Sequence, residues 1–151
     1  MTRNLLKIVQ VAFCLGLALL TCTACENEDD IDEIFVGKTW YMNGGTISGK
    51  KLNSDIRNFY TDAGTNAYYI TFSSQTFKGM LTYGDSFAGT WTADGKKQTI
   101  KLKMTETPTA SPPFDKQIYH IIANATSYRS GADFLQLKKD GENVLLLGNK
   151  R

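Results

Sequence analysis

Hydrophobic positions along the chain follow three patterns in turn. The first pattern is a block: Ile8 to Leu20 is apolar apart from Gln10 and Gly16, with Arg3 and Lys7 before it. Thirteen helical residues rise about 20 Å, short of the roughly 30 Å of hydrocarbon in a bilayer. A short apolar block behind positive charges reads as a secretory signal peptide. The second pattern is a polar run, Glu26 to Glu33, broken only by Ile31. It is too charged to pack and is expected to be a solvated tether. The third is a series of short strands separated by turn residues.

The first strand is Gly37-Lys38-Thr39-Trp40-Tyr41-Met42, ended by Asn43-Gly44-Gly45. Polar, Gly/Lys-rich residues 46–53 read as a loop. Leu52, Ile56, Phe59 and Tyr60 then fall on one stripe of a short helix stopped by Asp62-Ala63-Gly64. Strands follow at residues 67–72, 76–83, 87–92 and 98–104. The turns between them are Ser73-Ser74-Gln75, Gly84-Asp85 and the hairpin dipeptide Asp94-Gly95. Ile100, Leu102 and Met104 alternate with Thr99, Lys101 and Lys103, so one face is wet and one is buried. Residues 105–113 form a loop holding all three prolines. Phe114, Ile118, Ile121, Ile122 and Ala125 trace a helical stripe with Pro112 and Pro113 at its start and Asp115 in its first turn. The same Ile-Tyr-His-Ile-Ile run also fits a strand. Phe134 to Leu137 and Val144 to Leu147 flank Lys139-Asp140-Gly141-Glu142 as a closing hairpin. The fold class is mainly β: a small antiparallel barrel or half-barrel with one or two short helices.

Charge divides the chain at the same places. Six of its 15 acids lie in residues 26–33, where there is no base. Of its 17 Lys and Arg, all but Arg3 and Lys7 follow residue 33, where nine acids remain. A body of about +6 thus follows a tether of about −6. The lysines are scattered, and no basic cluster interleaves with aromatics in a nucleic-acid module, so no nucleic-acid partner is expected. A patch for anionic glycans or phospholipid headgroups is the sharper alternative to a solvated face.

The cysteines are Cys14, Cys22 and Cys25. Leu20-Thr21-Cys22-Thr23-Ala24-Cys25 resembles a lipobox, in which small residues precede the cysteine that receives the lipid. Ala24 makes Cys25 the better lipidation site than Cys22, although Cys22 stands three before Cys25, where the motif prefers Leu. The expected organisation is 1–24 signal peptide, 25–33 lipidated cysteine and acidic tether, and 34–151 β domain. An acidic run after the lipidated cysteine resembles a tag for export to the outer leaflet in one group of Gram-negative bacteria. That implies an outer-membrane protein at the cell surface, with the periplasmic face as the alternative. The eight tether residues reach about 27 Å at about 3.4 Å each.

Three segments carry a family resemblance: Gly37-Lys38-Thr39-Trp40; Phe87-Ala88-Gly89-Thr90-Trp91-Thr92 with Asp94-Gly95; and the second helix leading to Tyr128 and Gly131-Ala132-Asp133-Phe134-Leu135-Gln136-Leu137. The body resembles the lipocalin-like, META-type domains of bacterial envelope lipoproteins. It lacks the mid-domain Gly-Cys-Asn-type segment of the META pattern. The resemblance implies a fold and a location, and no chemistry.

Candidate chemistry is sparse. His120 is the single histidine, expected on the polar helix face beside Lys116 and Asn124. A zinc site with several His or Cys ligands is excluded by inventory, and no metal or cofactor is expected. Glycosidase chemistry needs two converging carboxylates, whereas Asp55, Asp62, Asp85 and Asp94 sit at turns, where carboxylates serve as caps. Trp40, Tyr69 and Trp91 are the candidate ligand-binding residues: stacking walls in an open barrel mouth, or, for the two tryptophans, barrel plugs. The expected function is a membrane-anchored, non-enzymatic module that holds a small apolar or glycan ligand or an envelope protein. The alternatives are an accessory subunit of an envelope complex and a glycan or peptide hydrolase.

Overall fold

In the computed structural model the described residues are 28–52, 68–81 and 84–148. A short helix, α1 (Ile31–Phe35), comes first. The strands are β1 (Thr39–Ile47), β2 (Lys50–Lys51), β3 (Tyr69–Phe72), β4 (Thr76–Met80), β5 (Ser86–Asp94) and β6 (Thr99–Glu106). Helix α2 (Pro113–Ala123) leads to β7 (Ser127–Ser130), β8 (Phe134–Lys139) and β9 (Glu142–Leu147). All strand pairings are antiparallel; from β3 to β9 neighbours follow chain order, and β1 lies between β2 and β3. β1 also pairs with β9, which brings the sheet round into a ring. The weak seam lies between β6 and β7, joined at the single pair Thr99 and Ser127. The arrangement is a mainly β, lipocalin-like half-barrel with two short helices among the described residues.

Alternation decides which residues fill it. Trp40 and Met42 on β1, Ile70 and Phe72 on β3, Leu135 and Leu137 on β8, and Val144 and Leu146 on β9 all point inward and are buried. α2 packs against β6, β8 and β9, burying Ile118, Ile121 and Ile122. Pro113 begins it, where a missing N–H costs nothing. At its end the Asn124 amide donates to the His120 carbonyl at 2.9 Å. Asp115, expected simply to complement the helix N-terminus, is fully buried and accepts a 2.6 Å hydrogen bond from the Tyr68 hydroxyl. That bond anchors Tyr68, whose backbone enters β3 at φ +54, a conformation that a residue with a Cβ adopts at some cost.

Several expectations shift. β1 does not stop at Asn43-Gly44-Gly45 but runs through it with a bulge between Met42 and Gly44. A Cβ on Gly45 would lie 2.2 Å from the Asn143 carbonyl oxygen, so glycine here permits close strand approach. The loop expected over 46–53 contains the β1–β2 hairpin instead. β7 was not signalled, because its buried Tyr128 is the one apolar residue in Ser-Tyr-Arg-Ser. The helix expected over 52–60 lies outside the described residues, apart from a buried Leu52.

The acidic run departs furthest from its expected solvated state. Its second half is attached to the body. Asp30 caps α1 by accepting from the Glu33 amide at 3.0 Å, and Asp32 and Glu33 occupy the first turn, where the helix dipole favours acids. The helix ends on fully buried Phe35, whose ring lies 5.0 Å from Phe72, 4.9 Å from Trp91 and 5.1 Å from Tyr128. One step earlier, the Asp29 carboxylate accepts from the Gln98 side chain at 3.1 Å.

Candidate functional site

The three residues singled out as ligand contacts separate. Trp40 is buried at 1% exposure, and Lys38 stands 5.8 Å from its ring centroid. Its indole N–H has no hydrogen-bond partner among the described residues. Trp91 is buried in the Phe35–Phe72 cluster and donates its indole N–H to the Ser73 carbonyl at 2.8 Å. Both tryptophans plug the interior. Tyr69 faces the other way: its neighbour Ile70 is buried, and Tyr69 is partly exposed on the outer wall.

That outer position belongs to a row. The strand register places Met80 opposite Tyr69, Tyr69 opposite Tyr41, Tyr41 opposite Leu147, and Leu147 opposite Phe134. All five are partly exposed. Directly opposed residues on neighbouring strands have Cβ atoms about 5 Å apart, so the row is one apolar band across five strands. Leu145 extends it one step along β9. The opposite wall reads differently. β5 and β6 turn Thr90, Thr92, Thr99, Lys101 and Lys103 outward, all exposed. One wall is therefore wet throughout, and the other carries an apolar row among outward Thr39, Thr71, Lys78, Gln136 and Asn143. Exposed Lys78 stands two residues before Met80 on β4, and exposed Lys38 just before β1.

The sequence reading found Tyr69 and missed Tyr41, Met80, Phe134 and Leu147. A signal was present. Val144-Leu145-Leu146-Leu147 is apolar on both faces, and an antiparallel strand with a solvated outer face would alternate.

Polar groups elsewhere are occupied with local structure. His120 Nε2 lies 3.1 Å from the Lys139 ammonium, beside an open depression of about 370 Å³ lined by Ile47, Ser48, Lys116, Gln117 and Glu142. Glu142 accepts from the Ser48 amide at 2.9 Å. Asp94 accepts from the Lys97 amide at 2.9 Å. Asp85 and Asp94 stand at opposite ends of the nine-residue β5, roughly 30 Å apart at about 3.3 Å per residue. They do not converge on a cleft. Asp55 and Asp62 lie outside the described residues. Among the described residues no group of three His, Cys, Asp or Glu is placed to hold a metal ion.

Asp85 is a clamp. Its carboxylate accepts from the Ser111 hydroxyl and from the amides of Thr109 (2.8 Å) and Ala110 (3.1 Å). The Ser111 bond leads the groups that hold it below the ordinary 3.8, with the two amides and Lys116 overcoming a partial loss of solvation. A depressed folded value means the clamp is complete above 3.8 and is lost as pH falls through the lower folded value. Amide shifts of Thr109 and Ala110 should therefore hold steady down to pH 3.8 and move only below it. Movement already complete at about pH 5 would remove Asp85 as the clamp.

Comparison with known proteins places the chain in context. Residues 26–149 match the model of a domain of unknown function, DUF4847. The crystal structure of a DUF4847 family protein from Bacteroides vulgatus ATCC 8482 is similar at 24% identity and a TM-score of 0.64, covering 80% of this chain and 99% of that one. At that identity the likeness speaks for the fold alone. No curated protein matches the chain.

Proposed function

Because the chain belongs to the DUF4847 family, a family described without an activity, we propose its function from its surfaces. It is a non-enzymatic, lipid-anchored module of the cell envelope that binds a protein partner through the apolar wall of β8, β9, β1, β3 and β4. The observation that carries this reading is the unbroken row Met80–Tyr69–Tyr41–Leu147–Phe134. Contiguous apolar surface is unfavourable in water, and tyrosines are enriched where partners dock. The same barrel keeps its other wall polar, so the apolar wall is not a general property of the sheet.

The interior weighs against a small ligand. Trp40 and Trp91, which would line an open mouth, are buried in side-chain packing, and Phe35, Phe72 and Tyr128 close round Trp91. The lysines near the row fit a partner with an acidic rim, and rim charge sets encounter rate and specificity. An accessory subunit of an envelope complex is the form of this role that the wall supports best. The anchor is Cys25, after which the chain has no cysteine. The acidic run beside it supports the outer membrane's outer leaflet as the address.

Replacing Tyr41 and Tyr69 together by serine tests the partner reading. Each tyrosine at the centre of an interface contributes about 2 kcal/mol, so the pair should weaken binding by a factor on the order of a thousand. In detergent-solubilised envelopes, the protein's assembly should shrink to the size of one lipidated chain while its melting temperature stays within a few degrees. An assembly of unchanged size would refute the role of this wall.

A further inference from the structure

We infer that residues 29–35 are a seated strap, and that its seat turns the β5–β6 hairpin end of the barrel toward the membrane. The inference rests on the proposed anchor at Cys25. Its evidence is the turn Asp94–Gln98. In sequence Asp94-Gly95 reads as a hairpin dipeptide, where glycine supplies a positive φ. Gly95 is not among the glycines with positive φ, and it is buried although it lies in a surface turn. What requires glycine is the strap: a Cβ at Gly95 would lie 2.2 Å from the Asp29 carbonyl oxygen. The Asp29 amide donates to the Gly95 carbonyl at 3.5 Å. Gln98, at φ +52, reaches the Asp29 carboxylate with its side chain and accepts the Tyr128 amide with its carbonyl at 3.0 Å. Asp29 also lies beside the Tyr128 hydroxyl. Burial foremost, and then this carboxylate, pushes the phenol above its ordinary range.

The seat shortens the link to the membrane. Only residues 26–28 separate Cys25 from Asp29. Four Cα steps of about 3.8 Å reach at most about 15 Å, against about 38 Å if the chain were free as far as Phe35. The hairpin is held to the lipid side, with exposed Lys96 and Lys97 at its tip. Lys97 is paired with Asp94 at 3.5 Å and the strap itself is acidic, so it is the short reach from Cys25, and not charge, that sets this orientation. The barrel walls then stand upright on the membrane, and the apolar row faces sideways, open to a neighbour in the same leaflet.

The test uses the lipidated mature chain in phosphatidylcholine–phosphatidylglycerol vesicles containing headgroup-nitroxide lipid. With Cys25 blocked by lipid, Lys97→Cys or Asp140→Cys gives one site for a fluorophore, at the hairpin or at the opposite end. The label at position 97 should lose most of its emission and the label at position 140 little. Adding Gly95→Val should abolish that difference while lipidation and melting temperature persist. Equal quenching in the parent chain, or a difference that survives Gly95→Val, overturns the orientation and leaves the anchor standing. An N-terminal peptide without lipid, with both labels unquenched, overturns the anchor and this inference together.

Discussion

Replacing Phe35 by alanine is expected to lower the free energy of unfolding by about 3–5 kcal/mol, the range for emptying a large aromatic site in a core. Phe35 is fully buried and touches three other rings, Phe72, Trp91 and Tyr128, at centroid distances of 4.9 to 5.1 Å. Each aromatic pair adds something beyond area alone. The cavity would not close easily, because its walls belong to β3, β5 and β7, which the sheet holds in place. The five residues of α1 cannot be helical unaided, so losing Phe35 should also free the strap. Urea unfolding of a chain lacking the signal peptide, followed by tryptophan fluorescence, measures the loss. A change below about 1 kcal/mol would mean that α1 is not part of the cooperative unit.

Cys25→Ser is expected to move the protein from the membrane fraction to the soluble fraction almost completely. Burying acyl chains stabilises attachment by about 0.8 kcal/mol per CH₂, and two or more chains make it effectively permanent. Nothing else on the described surface approaches that. Among the described residues no helix is long and apolar enough to cross a membrane. Fractionation with mass spectrometry of the N-terminal peptide reads the outcome. Retention of a lipidated Cys25→Ser chain would assign the lipid to Cys22.

The strands were legible in the sequence where polar and apolar residues alternate. Residues 98–104 show the pattern plainly, and β6 covers all of them but Gln98. α2 was legible because two prolines and a stripe of isoleucines agree on its start and its inner face. Three features were hidden for physical reasons. β7 carries one inward side chain and leans on the seam for its identity. α1 is five residues inside an acidic run, too short to signal a helix, and becomes one because Phe35 is buried by residues that lie 37 to 93 positions away. The outer row is a product of register. Met80, Tyr69, Tyr41, Leu147 and Phe134 come from five strands and become neighbours only when the ring closes between β1 and β9. Trp40 and Trp91 drew attention as aromatics that could stack on a ligand, yet a buried aromatic is what a small β core requires. Tyr69 could be told from them by parity alone, since it sits between inward positions.

The most direct test of the partner-binding wall is site-specific photocrosslinking in intact cells. A benzophenone amino acid in place of Tyr69 probes the apolar wall, and the same group in place of Lys103 probes the wet one. The account predicts a discrete protein adduct from position 69, with the linked peptide identified by mass spectrometry, and no such adduct from position 103. Crosslinks of equal yield at both positions, or none at position 69 in a chain shown to be lipidated and folded, would contradict it.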